Sequence, residues 1–126
     1  MKLTSVNSQL ILLLAFTMVS ACQYKSETSL ITGHWKYTSV EKNHESLFVI
    51  GDNDVMILQS DSLFEYHISS VNKHMYGKWS YSDHTLHLKY AEPDTTRHFK
   101  VDILSDHILK MHEGEVVFNF TRVKTD

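Results

Sequence analysis

Gly33-His34-Trp35-Lys36-Tyr37-Thr38-Ser39-Val40 is the stretch on which the fold turns. Trp35 and Tyr37 alternate with His34, Lys36 and Thr38, the two-residue period of a strand that is wet on one face. A glycine two positions before an indole leaves room for another backbone or ring to lie close to the strand start. Gly77-Lys78-Trp79-Ser80-Tyr81 repeats the pattern, and Arg122 near the end of the chain supplies a guanidinium able to lie flat on an indole. Gly33 and Trp35 are thereby suited to plug one end of a barrel.

Outward from this stretch the same period recurs. Val55 to Gln59 reads as a strand, Ser60-Asp61 as a tight turn, and Ser62 to Ser69 as a strand with Phe64, Tyr66 and Ile68 on one face. Met75, Gly77, Trp79 and Tyr81 alternate with polar residues, as do Leu86, Leu88 and Tyr90. After the Glu92-Pro93-Asp94 turn come Arg97, Phe99, Val101 and Ile103 on one parity, then Leu109 and Met111, then Val116, Phe118, Phe120 and Arg122. With the opening strand these make eight, joined almost entirely by tight turns. A meander of eight half-wet strands either closes or exposes two edges, and closure removes those edges. The expected fold is all-β: an eight-stranded antiparallel up-and-down β-barrel, whose interior side chains can fill or which can hold one small ligand.

The first residues are of another kind. Lys2 precedes the apolar run Leu10-Ile11-Leu12-Leu13-Leu14-Ala15-Phe16-Thr17-Met18-Val19, too short to cross a bilayer comfortably. Val19-Ser20-Ala21-Cys22 ends it and resembles a bacterial lipoprotein signal, in which small residues precede a cysteine that is acylated and becomes the mature N-terminus. Cys22 is the single cysteine of the chain. The expected organisation is a signal peptide over 1–21, a polar tether over 22–30 and a barrel domain over 31–126. Removing residues 1–21 takes away Lys2, so a net charge of −3 becomes −4. Such a chain has no disulfide and no nucleic-acid footprint, and it would meet the membrane through its acyl chains.

Over roughly residues 31 to 123 the chain resembles the lipocalin-like domains of Bacteroidetes lipoproteins. The residues that carry this are Gly33-x-Trp35, Asp61-Ser62-Leu63-Phe64, Gly77-x-Trp79, Leu86-x-Leu88 and Phe118-x-Phe120-x-Arg122. The resemblance implies that Arg122 covers Trp35, and that the long connection after the first strand folds across the barrel mouth. It also implies a cell-envelope protein, and Gln23 after Cys22 leans towards the outer membrane. The chain departs from the pattern in its brevity and in stopping four residues after Arg122, without the usual C-terminal helix.

Glu41 to Asp54 is that long connection, and its residues read either as a lid with Leu47 and Phe48 beneath it or as another strand. The interior parity gathers aromatic residues and methionines suited to an apolar or flat ligand, and equally to an ordinary packed core. Tyr37, Tyr66, Trp79, Tyr90, Arg97 and Phe99 are the expected ligand-binding residues. Arg97 shares the inward parity and must meet an acidic group or sit at a wet rim.

Ser82-Asp83-His84 and Ser105-Asp106-His107 contain the residue types of a hydrolase triad, but consecutive residues at a turn diverge, so both read as capped hairpin turns. His67, His87 and His98 share an outward parity on neighbouring strands, with no ligand set of recognisable spacing, so neither metal nor cofactor is expected. The expected function is non-enzymatic binding of a small apolar or amphipathic molecule. The alternative is a filled barrel that recruits another envelope protein.

Overall fold

The computed structural model describes residues 26–124. The signal segment, Cys22 and the start of the expected tether lie outside them. One helical turn, α1 (Glu27–Ile31), precedes the strands β1 (Gly33–Lys42), β2 (Glu45–Ser46), β3 (Val55–Leu58), β4 (Leu63–Ile68), β5 (Lys73–Ser82), β6 (Thr85–Tyr90), β7 (Thr95–Leu104), β8 (Ile108–Glu113) and β9 (Val116–Arg122). Each long strand pairs antiparallel with the next, and β9 returns to β1 from Trp35↔Arg122 to Lys42↔Val116. Eight strands thus close into a barrel, while β2 is a two-residue return against the far end of β1. Closure satisfies the backbone groups that an open meander would expose at β1 and β9.

The strands run alternately between two ends. Residues 59–62, 83–84 and 105–107, together with α1, cap the closed end. Residues 43–54, 69–72, 91–94 and 114–115 surround the open one. At the closed end Trp35 is fully buried and its Nε1 donates to the Ile31 carbonyl at 2.8 Å. Arg122 stacks over the indole with its guanidinium carbon 4.2 Å from the ring centroid. Its Nη1 donates to Thr32 O at 2.9 Å and its Nε to Asp106 O at 2.7 Å, and Nη2 donates to Leu30 O. Gly33 sits at φ +140, where a Cβ would come within 2.5 Å of Arg122 Nη1. The residue that opens β1 is therefore glycine for two reasons, its dihedral and the guanidinium lying on it.

Two expectations change. Residues 26–30 were expected in the tether, but they are built into the fold. Ser26 Oγ accepts from the Ser29 amide at 3.2 Å, and α1 carries a fully buried Ile31 onto the barrel floor. A single turn whose two apolar residues, Leu30 and Ile31, are adjacent has no periodicity to read. Ile103 was assigned to the inner face, yet it is 47% exposed. A register shift between Val101 and Ile103 inserts Asp102 as a bulge, which turns Ile103 outward and packs Leu104 against the core. Asp102 then meets His112 Nδ1 at 2.7 Å. A similar shift between Tyr37 and Ser39 keeps Val40 inward after Tyr37.

Candidate ligand cavity at the open end

The barrel is solid at one end and hollow at the other. Trp35, Leu58, Phe64, Leu86, Leu109 and Phe120 are buried and fill the closed half. Their strand neighbours towards the open end line a cavity of about 370 Å³ instead: Tyr37, Met56, Tyr66, Leu88, Phe99 and Met111 on the walls, Phe118 and Val116 higher up. Below the cavity the buried side chains of the closed half fill the barrel, whereas above it lies the loop of residues 43–54.

That loop is both of the things the sequence allowed. Asn43 and His44, each at positive φ, turn the chain so that Glu45–Ser46 pairs with β1, after which Leu47 and Phe48 reach over the opening and join the cavity wall. The Leu47 amide donates to Val40 O at 2.9 Å and fixes the departure of the lid from the sheet. Its far end is held by Asp54, which is fully buried. One carboxylate oxygen of Asp54 accepts from the Gly51 amide at 2.7 Å and the other from the Ser69 amide at 2.9 Å, so one side chain ties the lid to the 3-10 turn (Ser69–Val71) after β4. Burial by itself would raise the pKa of this carboxyl. The hydrogen bonds from Gly51 and Ser69 outweigh it and hold the group below its ordinary value. Asp54 reads in the sequence as one of three polar turn residues, and nothing local separates it from Asp52.

Of the six residues expected to bind ligand, Tyr37, Tyr66, Arg97 and Phe99 line the cavity. Tyr90 does not; it stands behind Tyr66 with the two hydroxyls 3.1 Å apart. Trp79 does not either. Because β5 runs from the open to the closed end, Trp79 has entered the filled half, where its Nε1 donates to Gln59 O at 2.8 Å. Val71 and Lys73, which the sequence did not single out, complete the rim.

Arg97 is half-buried, and its partner is internal. Nε donates to Glu113 Oε2 at 2.9 Å and Nη2 donates to Glu113 Oε1, a bidentate pair across β7 and β8. The guanidinium is held above its ordinary pKa chiefly by these bonds. Burial pushes the phenols of Tyr37 and Tyr66 up, so both keep their protons.

The outer wall holds the histidines. His87 and His98 are cross-strand partners with Nδ1 atoms 2.7 Å apart, while His67 pairs with His74 instead. Among the described residues no cluster of three or more His, Cys, Asp or Glu is arranged to hold a metal. Asp83 and His84, both at positive φ, form the hairpin turn between β5 and β6. Ser105 Oγ accepts from the His107 and Ile108 amides at 3.3 and 3.0 Å, so it caps its turn.

No protein-family model matches the sequence, and no curated protein does. Solved structures do match in shape. A lipocalin-like protein from Bacteroides uniformis superposes with a TM-score of 0.60 at 14% identity, covering 78% of this chain and 100% of that one. The fold is a lipocalin-like barrel. An uncharacterized protein from Bacteroides eggerthii is similar in shape too, with a TM-score of 0.59 at 13% identity, covering 73% of this chain and 98% of the other. At such identities the likeness concerns the barrel and not the residues inside it.

Proposed function

We propose that this protein is a non-enzymatic, lipid-anchored envelope protein whose barrel binds a small apolar or amphipathic molecule at its open end. The observation that carries the reading is the cavity of about 370 Å³ beneath Leu47 and Phe48, walled by aromatic residues and methionines. That volume lies in the range of small-molecule sites, and its few polar groups suit orientation rather than chemistry. A barrel serving only as a filled scaffold has no need of a hollow under a lid.

Acylation would fall on Cys22, four residues before Ser26, a reach of at most about 14 Å in extended chain. Since α1 caps the closed end, an anchor there turns the mouth away from the bilayer that holds it. The ligand is then exchanged with the surrounding compartment or an opposing surface, and an outer-membrane location fits such traffic.

The test uses the full chain carrying Cys22→Ser, purified without detergent. Native mass spectrometry should show a co-purifying small molecule, or the protein should take up the uncharged dye N-phenyl-1-naphthylamine with a blue-shifted emission. A clean apo mass together with no dye uptake would sink the proposal.

A further inference from the structure

Tyr37 is 3% exposed, and no described residue hydrogen-bonds its hydroxyl. The oxygen is nevertheless not among sealed, unsatisfied polar atoms, and Tyr37 is part of the cavity wall. Its O–H is therefore a donor offered to whatever fills the cavity. Because that oxygen is open to the cavity, water or a ligand oxygen takes the place of a protein partner.

The remaining polar groups set the charge of that occupant. Among the described residues Arg97 is the one cation inside the wall, and Glu113 engages two of its N–H groups and cancels its charge. The Tyr66 and Tyr90 hydroxyls share one hydrogen bond, in which either can be the donor, and neither carries a charge. Lys73 is exposed at the rim, where water solvates it, and among the described residues no carboxylate lines the cavity. The interior thus sums to zero. An anionic head brought inside would find no free countercharge and would face the Glu113 carboxylate across the guanidinium. An uncharged oxygen that accepts a hydrogen bond meets neither penalty.

Building on the ligand-binding reading, we infer that the ligand is an uncharged amphipath, an apolar body with a hydroxyl or carbonyl oxygen at its inner end that accepts from Tyr37. At the share of volume a water takes in the liquid, the cavity holds on the order of a dozen non-hydrogen atoms.

Displacement of N-phenyl-1-naphthylamine from the Cys22→Ser chain by dodecan-1-ol and by dodecanoate at pH 7.5 tests this. The alcohol should compete more strongly. Tyr37→Phe should weaken the alcohol roughly three- to ten-fold, the worth of one hydrogen bond, and leave dodecanoate unchanged. Glu113→Gln exposes the Arg97 charge and should shift the ratio towards dodecanoate by about ten-fold, a change that the different hydrophobicity of the two probes cannot produce. Thermal unfolding of both variants by circular dichroism confirms that they fold. Dodecanoate matching the alcohol on the parent chain, no loss on Tyr37→Phe, or no shift on Glu113→Gln each overturns the inference while leaving a ligand site standing. Failure of the parent chain to take up the dye removes the site and the inference together.

Discussion

Replacing Arg122 with alanine should open the closed end of the barrel. The side chain makes three hydrogen bonds to backbone carbonyls, of Leu30, Thr32 and Asp106, and covers the Trp35 ring. The bonds to Leu30 and Thr32 are partly buried, and a charged hydrogen bond in that setting contributes about 1.5 kcal/mol or a little more. The exposed bond to Asp106 adds roughly 0.5 kcal/mol, and the cation–π contact about 0.5–1 kcal/mol. Allowing for water reaching the freed carbonyls, the loss on Arg122→Ala is about 3–4 kcal/mol. The measurement is urea unfolding followed by tryptophan fluorescence, with the slope checked for two-state behaviour. Arg122→Lys is the informative companion. An ammonium keeps the charge but cannot span three carbonyls in one plane, so it should recover no more than about 1 kcal/mol of the loss. If alanine costs less than about 1 kcal/mol, or lysine restores the parent stability, the planar fork is not what closes this barrel.

Other consequences are as direct. At Gly77 a Cβ would lie 2.0 Å from Lys89 O and 2.9 Å from a Phe64 ring carbon, so Gly77→Ala should destabilise by about 3 kcal/mol or prevent folding, read by the same unfolding curve. Trp35→Phe keeps an aromatic plug but orphans the Ile31 carbonyl and leaves a gap, and should cost about 2–4 kcal/mol in thermal or urea unfolding. Asp54→Asn should cost about 2 kcal/mol at neutral pH, because an amide cannot accept from both Gly51 and Ser69. The sign of its pH dependence follows from the lowered native pKa. The carboxylate's contribution is fully present above its unfolded value of about 3.9 and is lost as pH falls through the native value. The stability difference between parent and Asp54→Asn should accordingly shrink as pH falls below about 4, and a difference that stays constant there would contradict the assignment.

The eight strands were legible in the sequence because each buries one face, and a two-residue period survives in the residue types whatever the partners are. The closure by Gly33, Trp35 and Arg122 was legible through the resemblance to lipocalin-like domains, because the local pattern alone recurs at Gly77-Lys78-Trp79, whose indole carries no arginine among the described residues. The cavity lining was legible in part, by parity alone. Tyr37, Tyr66, Arg97 and Phe99 line the cavity, whereas Trp79 shares their inward parity and lies in the filled half. Parity tells inside from outside; it does not tell one end of a cylinder from the other.

What the amino-acid sequence determined by itself, then, is the alternation that makes a closed wall and, away from the bulges, the residues facing its axis. Tertiary structure decided the quantities that depend on how strands are staggered: the bulges at Thr38 and Asp102, the pairing of Arg97 with Glu113, the burial of Asp54 beneath the lid, and the division into a packed floor and a hollow mouth. The physical reason is that a side chain's face is fixed by its own backbone, whereas its height along the barrel and its charge partner are fixed by neighbours many residues away.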